Sequence, residues 1–410
     1  MKRFKLVLSC YACEPNRGSE PGVGWAWALG MAKRHETYVL TRANNREVIE
    51  AELACLNLPP SETPHFIYVD LSPFVCRLKR RGIVPVSLYY LLWQFKARKT
   101  LDSLHLNADI IHHVTFCSFA CPGVWWGRKE KVVLGPLGGM SVCDRAFLRL
   151  YPPARRIKEF LRGLSRRYLW RVNPFFLLSR RNADALLFTE EKICRVLGGN
   201  HPCSSVLLDV AVPPRLESSE FDQPLPRRNQ FVWAGVLEPH KGLEIALRAY
   251  AEAFGGLPDP PVFKVMGAGS GLGQARQLAS SLGIADAVEF LGSVPQPRLW
   301  EEMRQSRGFV FTSVRDTCGS VNLEAMACQC PVVCFNHQGV GEATDDSCAI
   351  RVEPKTWESA IHDFAEAMLR LSVENELAEH LGQKARNRAI SLFFWSSKFD
   401  HAETIYNELV

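Results

Sequence analysis

Two carboxylates eight positions apart, Asp316 and Glu324, bracket a Gly-Ser pair at 319–320. Upstream, the apolar, β-branched run 308–314 reads as a buried parallel strand. Residues 315–320 read as a polar turn and 321–328 as a helix that Pro331 closes before a new strand at 332–335. This order places Asp316 at the carboxyl end of a strand and Glu324 one turn into the following helix. Both then edge the crevice where open parallel sheets take ligands. The free amides of Gly319, Ser320, Val321 and Asn322, with the positive helix end, make a phosphate seat. Amides for a diphosphate and acceptor-only carboxylates for ribose and sugar hydroxyls suit a nucleotide-sugar. The plainer alternative has Asp316 capping the helix and Glu324 solvated.

The elements that must position these groups recur in two rounds. A strand at 4–9 leads to a glycine-rich turn at 17–24, a helix from Trp25 and a strand at 36–40. Trp27 stands where a dinucleotide fingerprint needs its third glycine, so Gly22 and Gly24 either admit a substrate close to the backbone or simply form a tight turn. Further strands read at 66–69 and 108–114. The latter carries His112 and His113, where an imidazole can donate to a sugar hydroxyl or a developing charge. Alternation lets only one of them face the crevice, and packing is the competing role for either. Strands at 182–189 and 204–208 complete the first round, and the Pro-rich stretch 212–226 reads as a linker. The second round has a strand at 231–234, the loop 235–242 with Lys241, and a strand at 262–266. Gly267 opens a glycine-rich loop there, but Leu272 breaks the fingerprint. A strand at 288–291 and the loop 292–295 follow. This predicts an α/β chain of two Rossmann-like, doubly wound domains, 1–213 and 214–385, with residues 386–410 as a terminal helix.

Composition narrows the class. The chain has 410 residues, 47% apolar and 22% charged, with a net charge of +6, which suits two ordinary globular domains. Fourteen cysteines in that length are too sparse for a disulfide scaffold. Cys10 and Cys13 have CxxC spacing with no second pair, so reduced thiols in a cytoplasm are the expectation. No apolar run is long enough to span a bilayer. Between 145 and 181, eleven basic residues face a single acid, Glu159. Ile157, Phe160, Leu161, Leu164 and Tyr168 share one helical face there. A basic amphipathic helix marks an anionic membrane surface or partner, or else a solvated domain helix.

The stretch 316–333 resembles the Glu-x7-Glu motif of the retaining family-4 glycosyltransferases of GT-B fold, with Leu-Glu-Ala-Met-Ala followed by Pro-Val-Val. The resemblance makes Glu324 the ribose-binding glutamate and places Asp316, one methylene shorter, at the glutamate nearer the transferred sugar. Residues 235–242 resemble the family's Gly-Arg-Leu-x-x-x-Lys-Gly loop. Lys241 matches the lysine that neutralises the donor diphosphate, and Val236 replaces the arginine. The same resemblance places Gly235, Gly267, Val294, Gly319, Ser320 and Val321 around the donor, with Val294 against the base. It also places Gly22 and Gly24 on the acceptor side. Asp109 and His112 fit part of a family Asp-x-x-His-x-His pattern whose second histidine is Val114. It implies transfer of a sugar from a nucleotide-diphosphate sugar to an acceptor hydroxyl, on a glycan or lipid-linked saccharide, with retention. No cofactor or metal is expected, because no Asp-x-Asp stands at a strand end. Two rivals share the donor seat: a nucleotide-sugar epimerase, and a catalytically silent binding protein.

Overall fold

The computed structural model describes residues 2–410. Its thirteen named strands form two sheets, parallel throughout their ladders. The first sheet holds β1 (Lys5–Ser9), β2 (Glu36–Arg42), β3 (His65–Val69), β4 (Ile110–His113), β5 (Lys131–Leu137), β6 (Ala185–Phe188) and β7 (Ser204–Val206), in the order β3-β2-β1-β4-β5-β6-β7. The second holds β8 (Gln230–Ala234), β9 (Val262–Met266), β10 (Val288–Gly292), β11 (Gly308–Phe311), β12 (Val332–Phe335) and β13 (Ala349–Val352), in the order β10-β9-β8-β11-β12-β13. The strands are apolar on both faces because helices cover both, as a parallel sheet requires. The strand order reverses between β1 and β4, and again between β8 and β11. Such reversals open crevices at the carboxyl ends of the strands.

The chain divides into two units. One comprises Met1–Met140, Arg167–Val210 and Trp395–Val410; the other comprises Ser141–Arg166 and Ala211–Phe394. The sequence boundary at 213/214 therefore meets a division at 210/211, and the segment 141–166 groups with the second unit. The 212–226 stretch is not a loose linker. Arg386 is 3% exposed and donates to the carbonyls of Leu216, Ser218 and Ala327 and to the Asp222 carboxylate, at 2.8–3.1 Å. The last helix, Trp395–Leu409, buries Phe399, Ala402, Ile405 and Tyr406 in the first unit's core, beside Trp27 and Met31.

The first helix starts at Ser19, not Trp25, so Gly22 and Gly24 lie in its opening turns rather than in a loop. Glu20 and Pro21 supply the acid and the proline that a first turn favours. A Cβ on Gly24 would sit 2.1 Å from the Ala12 carbonyl oxygen. The glycine serves the approach of helix to strand end.

Candidate active site

In the second unit, Lys241 and Asp316 stand on the two loops that flank the strand-order reversal. Lys241 ends a short turn, Pro239–Lys241, and Gly242 follows in the left-handed region at φ 68°. A Cβ on Gly242 would meet the Thr312 carbonyl oxygen at 2.1 Å, so only glycine lets this loop lie against the end of β11. The loop is stitched down there. Thr312 Oγ1 donates to the Lys241 carbonyl at 3.2 Å and accepts from Trp233 Nε1 at 3.1 Å, while the Val314 amide donates to the His240 carbonyl at 2.9 Å. Lys241 Nζ then forms an ion pair with Asp316 Oδ2, each side chain about one-fifth exposed (19% and 21%).

Asp316 is held from behind. Its amide donates to Gln338 Oε1 at 2.7 Å, and its Oδ1 accepts from the Thr317 amide at 3.0 Å. Gln338 also donates to the Val142 carbonyl at 2.9 Å. Glu324 lies in the helix Ser320–Ala327, only 4% exposed, and accepts from Trp300 Nε1 at 2.7 Å. Burial pushes its carboxyl above the usual range, against the Trp300 bond. The solvated alternative for Glu324 therefore falls.

The remaining donor-side residues sort by place. Ser320 and Val321 occupy the first helical turn, where amides lack intrahelical partners. Asn322 differs: its amide donates to the Gly319 carbonyl at 2.9 Å, which takes it out of the seat. A Cβ on Gly267 would lie 1.8 Å from the Gly235 carbonyl oxygen. Gly267 thereby lets the loops after β8 and β9 cross backbone on backbone. Val294 sits half-buried after β10, and Val236 is 54% exposed with no guanidinium in its place.

Nothing in the sequence singles out Arg315. One of its guanidinium nitrogens donates to both oxygens of Glu159, at 2.7 and 2.6 Å. Glu159 belongs to the helix Pro153–Tyr168, which is inverted relative to an ordinary amphipathic helix. Its stripe 159, 162, 163, 166 faces inward. Ile157, Phe160, Leu161, Leu164 and Tyr168 are 45–65% exposed. Arg155 pairs with Glu238 of the Lys241 loop at 3.2 Å. The signal lay in Glu159 itself, the lone acid of a basic stretch and hence the residue with most reason to be buried against a cation.

The first unit treats its histidines differently. His112 and His113 are both fully buried. His112 Nε2 bonds the Gly135 carbonyl at 2.8 Å, so it carries the proton, and Nδ1 accepts from the Tyr406 hydroxyl at 2.5 Å. His113 Nδ1 accepts from Trp125 Nε1 at 3.3 Å, and Nε2 meets the Tyr90 hydroxyl at 2.7 Å. The two rings point to opposite sides of β4, as alternation requires. Burial lowers their basicity to about 4 for His112 and about 3 for His113. Both rings act as neutral, satisfied core groups. Asp109 is likewise structural, accepting from the Lys5 amide at 2.7 Å. Near the β1–β4 reversal, Glu20 accepts from the Phe116 amide at 3.1 Å, and burial raises its carboxyl to about 7. Among the described residues, no three His, Cys, Asp or Glu side chains group as a metal site, and no helix is long and apolar enough to cross a membrane.

Comparison with known proteins bears on this geometry. The family model described as Glycosyl transferases group 1 matches residues 217–388. A D-inositol 3-phosphate glycosyltransferase of Rhodococcus jostii is 37% identical over 124 residues, which are 29% of this chain and 27% of that protein. The Corynebacterium jeikeium protein of the same name is 28% identical over 252 residues, 56% of this chain and 58% of that protein. The chain thus spans from about a quarter to three-fifths of the length of these relatives. Among solved structures, sucrose-phosphate synthase of Thermosynechococcus elongatus has a TM-score of 0.62 at 16% identity, covering 99% of both chains. Anabaena HepE in complex with UDP has a TM-score of 0.59 at 17% identity, covering 98% of this chain and 99% of that one. The likeness shows the fold: two Rossmann-like domains of the GT-B type.

Proposed function

We propose that the chain is a glycosyltransferase that moves a sugar from a nucleotide-diphosphate sugar to an acceptor hydroxyl. The observation that carries this reading is the Lys241–Asp316 pair at the β8–β11 reversal, inside the stretch that matches the glycosyltransferase model. An ammonium poised there meets the charge that develops on a leaving diphosphate. As the donor enters, Lys241 exchanges Asp316 for phosphate, and Asp316 turns its oxygens to sugar hydroxyls. Glu324, fixed by Trp300, accepts from the ribose. Amides of the 319–321 turn share the phosphate load, and no metal is needed in this scheme. Anomeric retention, and an acceptor that is a glycan or a lipid-linked saccharide of polysaccharide biosynthesis, extend the family resemblance. His112 and His113 take no part.

The test is release of nucleoside diphosphate from a panel of nucleotide-sugars, with and without lipid-linked saccharide acceptors. Acceptor-dependent release supports transfer. Release or epimerisation without any acceptor would point to the rival enzyme. Glu324→Gln should lower turnover by roughly 10²-fold with the fold intact; full turnover in that variant contradicts the assignment.

The exposed stripe Ile157, Phe160, Leu161, Leu164 and Tyr168 supports a finer proposal, reversible docking at the cytoplasmic face of a membrane. Arg155 and Arg162 carry ion pairs and Arg166 a carbonyl, so the apolar stripe does most of the docking. Ile157→Ser with Leu161→Ser and Leu164→Ser should cut co-sedimentation with anionic liposomes. Unchanged sedimentation would remove the membrane from the account.

A further inference from the structure

The inward stripe of the helix Pro153–Tyr168 carries more positive charge than its surroundings offset. Arg162, Arg166 and Arg315 converge on Glu159: Arg162 Nε lies 3.5 Å from its Oε1, and Arg315 donates to both of its oxygens. Among the described residues Arg166 makes no ion pair within 4.0 Å and donates to the Ser141 carbonyl instead. Ser141 is 8% exposed, and its hydroxyl has no partner among the described residues. Three guanidiniums around one carboxylate, with the orphan hydroxyl on the residue whose carbonyl Arg166 holds, leave a cationic cluster with an excess of positive charge. Burying such charge is costly unless something anionic arrives. The same helix reaches the donor loop through Arg155 and Glu238, while Arg315 is the residue immediately before Asp316.

We infer that Arg162, Arg166 and Arg315, with the Ser141 hydroxyl, form a binding site for a phosphate group of a substrate. Planar guanidinium forks match phosphate oxygens in pairs. The site would supply the grip that Val236 cannot, from a different segment of the same unit. Arg166 sits in an environment that disfavours its charge. Burial first, then Arg162 and Arg315, lower its guanidinium to about 10, with Glu159 opposing them. For the nucleotide donor as the source of the phosphate, the inference rests on the proposed function. A phosphorylated acceptor offers the same chemistry.

The experiment is a thermal shift of the full chain with inorganic pyrophosphate and, separately, glucose 6-phosphate, on wild type, Arg166→Gln, Arg166→Lys and Lys241→Ala. Arg166→Gln should leave the Tm of the free protein unchanged or higher while weakening anion binding about tenfold or more. Arg166→Lys, which keeps a charge but loses the fork, should fall between. Dependence of the pyrophosphate shift on Arg166 identifies a diphosphate site, and dependence of the glucose 6-phosphate shift alone identifies an acceptor phosphate. Shifts that survive Arg166→Gln but vanish in Lys241→Ala overturn this site and leave the donor reading intact. Shifts lost in Arg166→Gln but kept in Lys241→Ala support the site and count against the donor reading. A lower Tm for free Arg166→Gln with an unchanged shift would make Arg166 an ordinary structural residue and overturn the inference.

Discussion

The two strand-order reversals of this chain share one geometry and carry opposite kinds of residue. At β8–β11 the charged groups stand on loops: Lys241 follows the last residue of β8 by seven positions, and Asp316 follows that of β11 by five. Both keep about one-fifth of their side chains in solvent. At β1–β4 the titratable rings are inside the ladder, with His112 paired to Leu8 and His113 to Ser9. A strand residue in a sheet covered on both faces is buried whichever way it points. Position relative to the end of the ladder, more than residue type, decides whether a polar group meets substrate or the core.

That contrast can be broken most forcefully at His112. His112→Phe keeps the ring volume but strips the Gly135 carbonyl and the Tyr406 hydroxyl of their partner. Each unmet buried group costs about 1–3 kcal/mol. Denaturant unfolding should show a loss of that order, with nucleoside diphosphate binding retained by the fraction that stays folded. A stable His112→Phe protein with selectively lost turnover would instead make the histidine catalytic.

A smaller effect is expected at Glu20. Its carboxyl is raised to about 7, so the native state holds a proton that the unfolded chain gives up near pH 4.3. Stability tied to that proton is complete below the unfolded value and is lost as pH rises through about 7. Glu20→Gln, which mimics the protonated form, should therefore gain Tm over wild type at pH 8 and show no gain at pH 4. A gain independent of pH would contradict the assignment.

Much of this was legible in the sequence, and the gaps have physical causes. The run 308–311 and the Pro331 stop located β11 and the helix that carries Glu324, because apolar β-branched runs and proline act locally. The inward turn of Glu159 was not legible. Helical periodicity groups Ile157 with Leu161 and Leu164, but nothing local states which side of a helix meets the protein. The first helix began six residues early because Ser19, Glu20 and Pro21 start it, and the glycines that suggested a loop serve close packing. The burial of His112 and His113 was not legible for a related reason: strand alternation separates faces but says nothing about which faces are covered.

The central claim is that the β8–β11 reversal seats a nucleotide diphosphate through Lys241. Its most direct test is calorimetric binding of UDP, GDP and ADP to wild type and Lys241→Ala, both checked for unchanged unfolding. Wild type should bind at least one of these nucleotides, and Lys241→Ala should bind it about tenfold or more weakly, as loss of a charge-assisted phosphate contact entails. Equal affinity in the two proteins would contradict it.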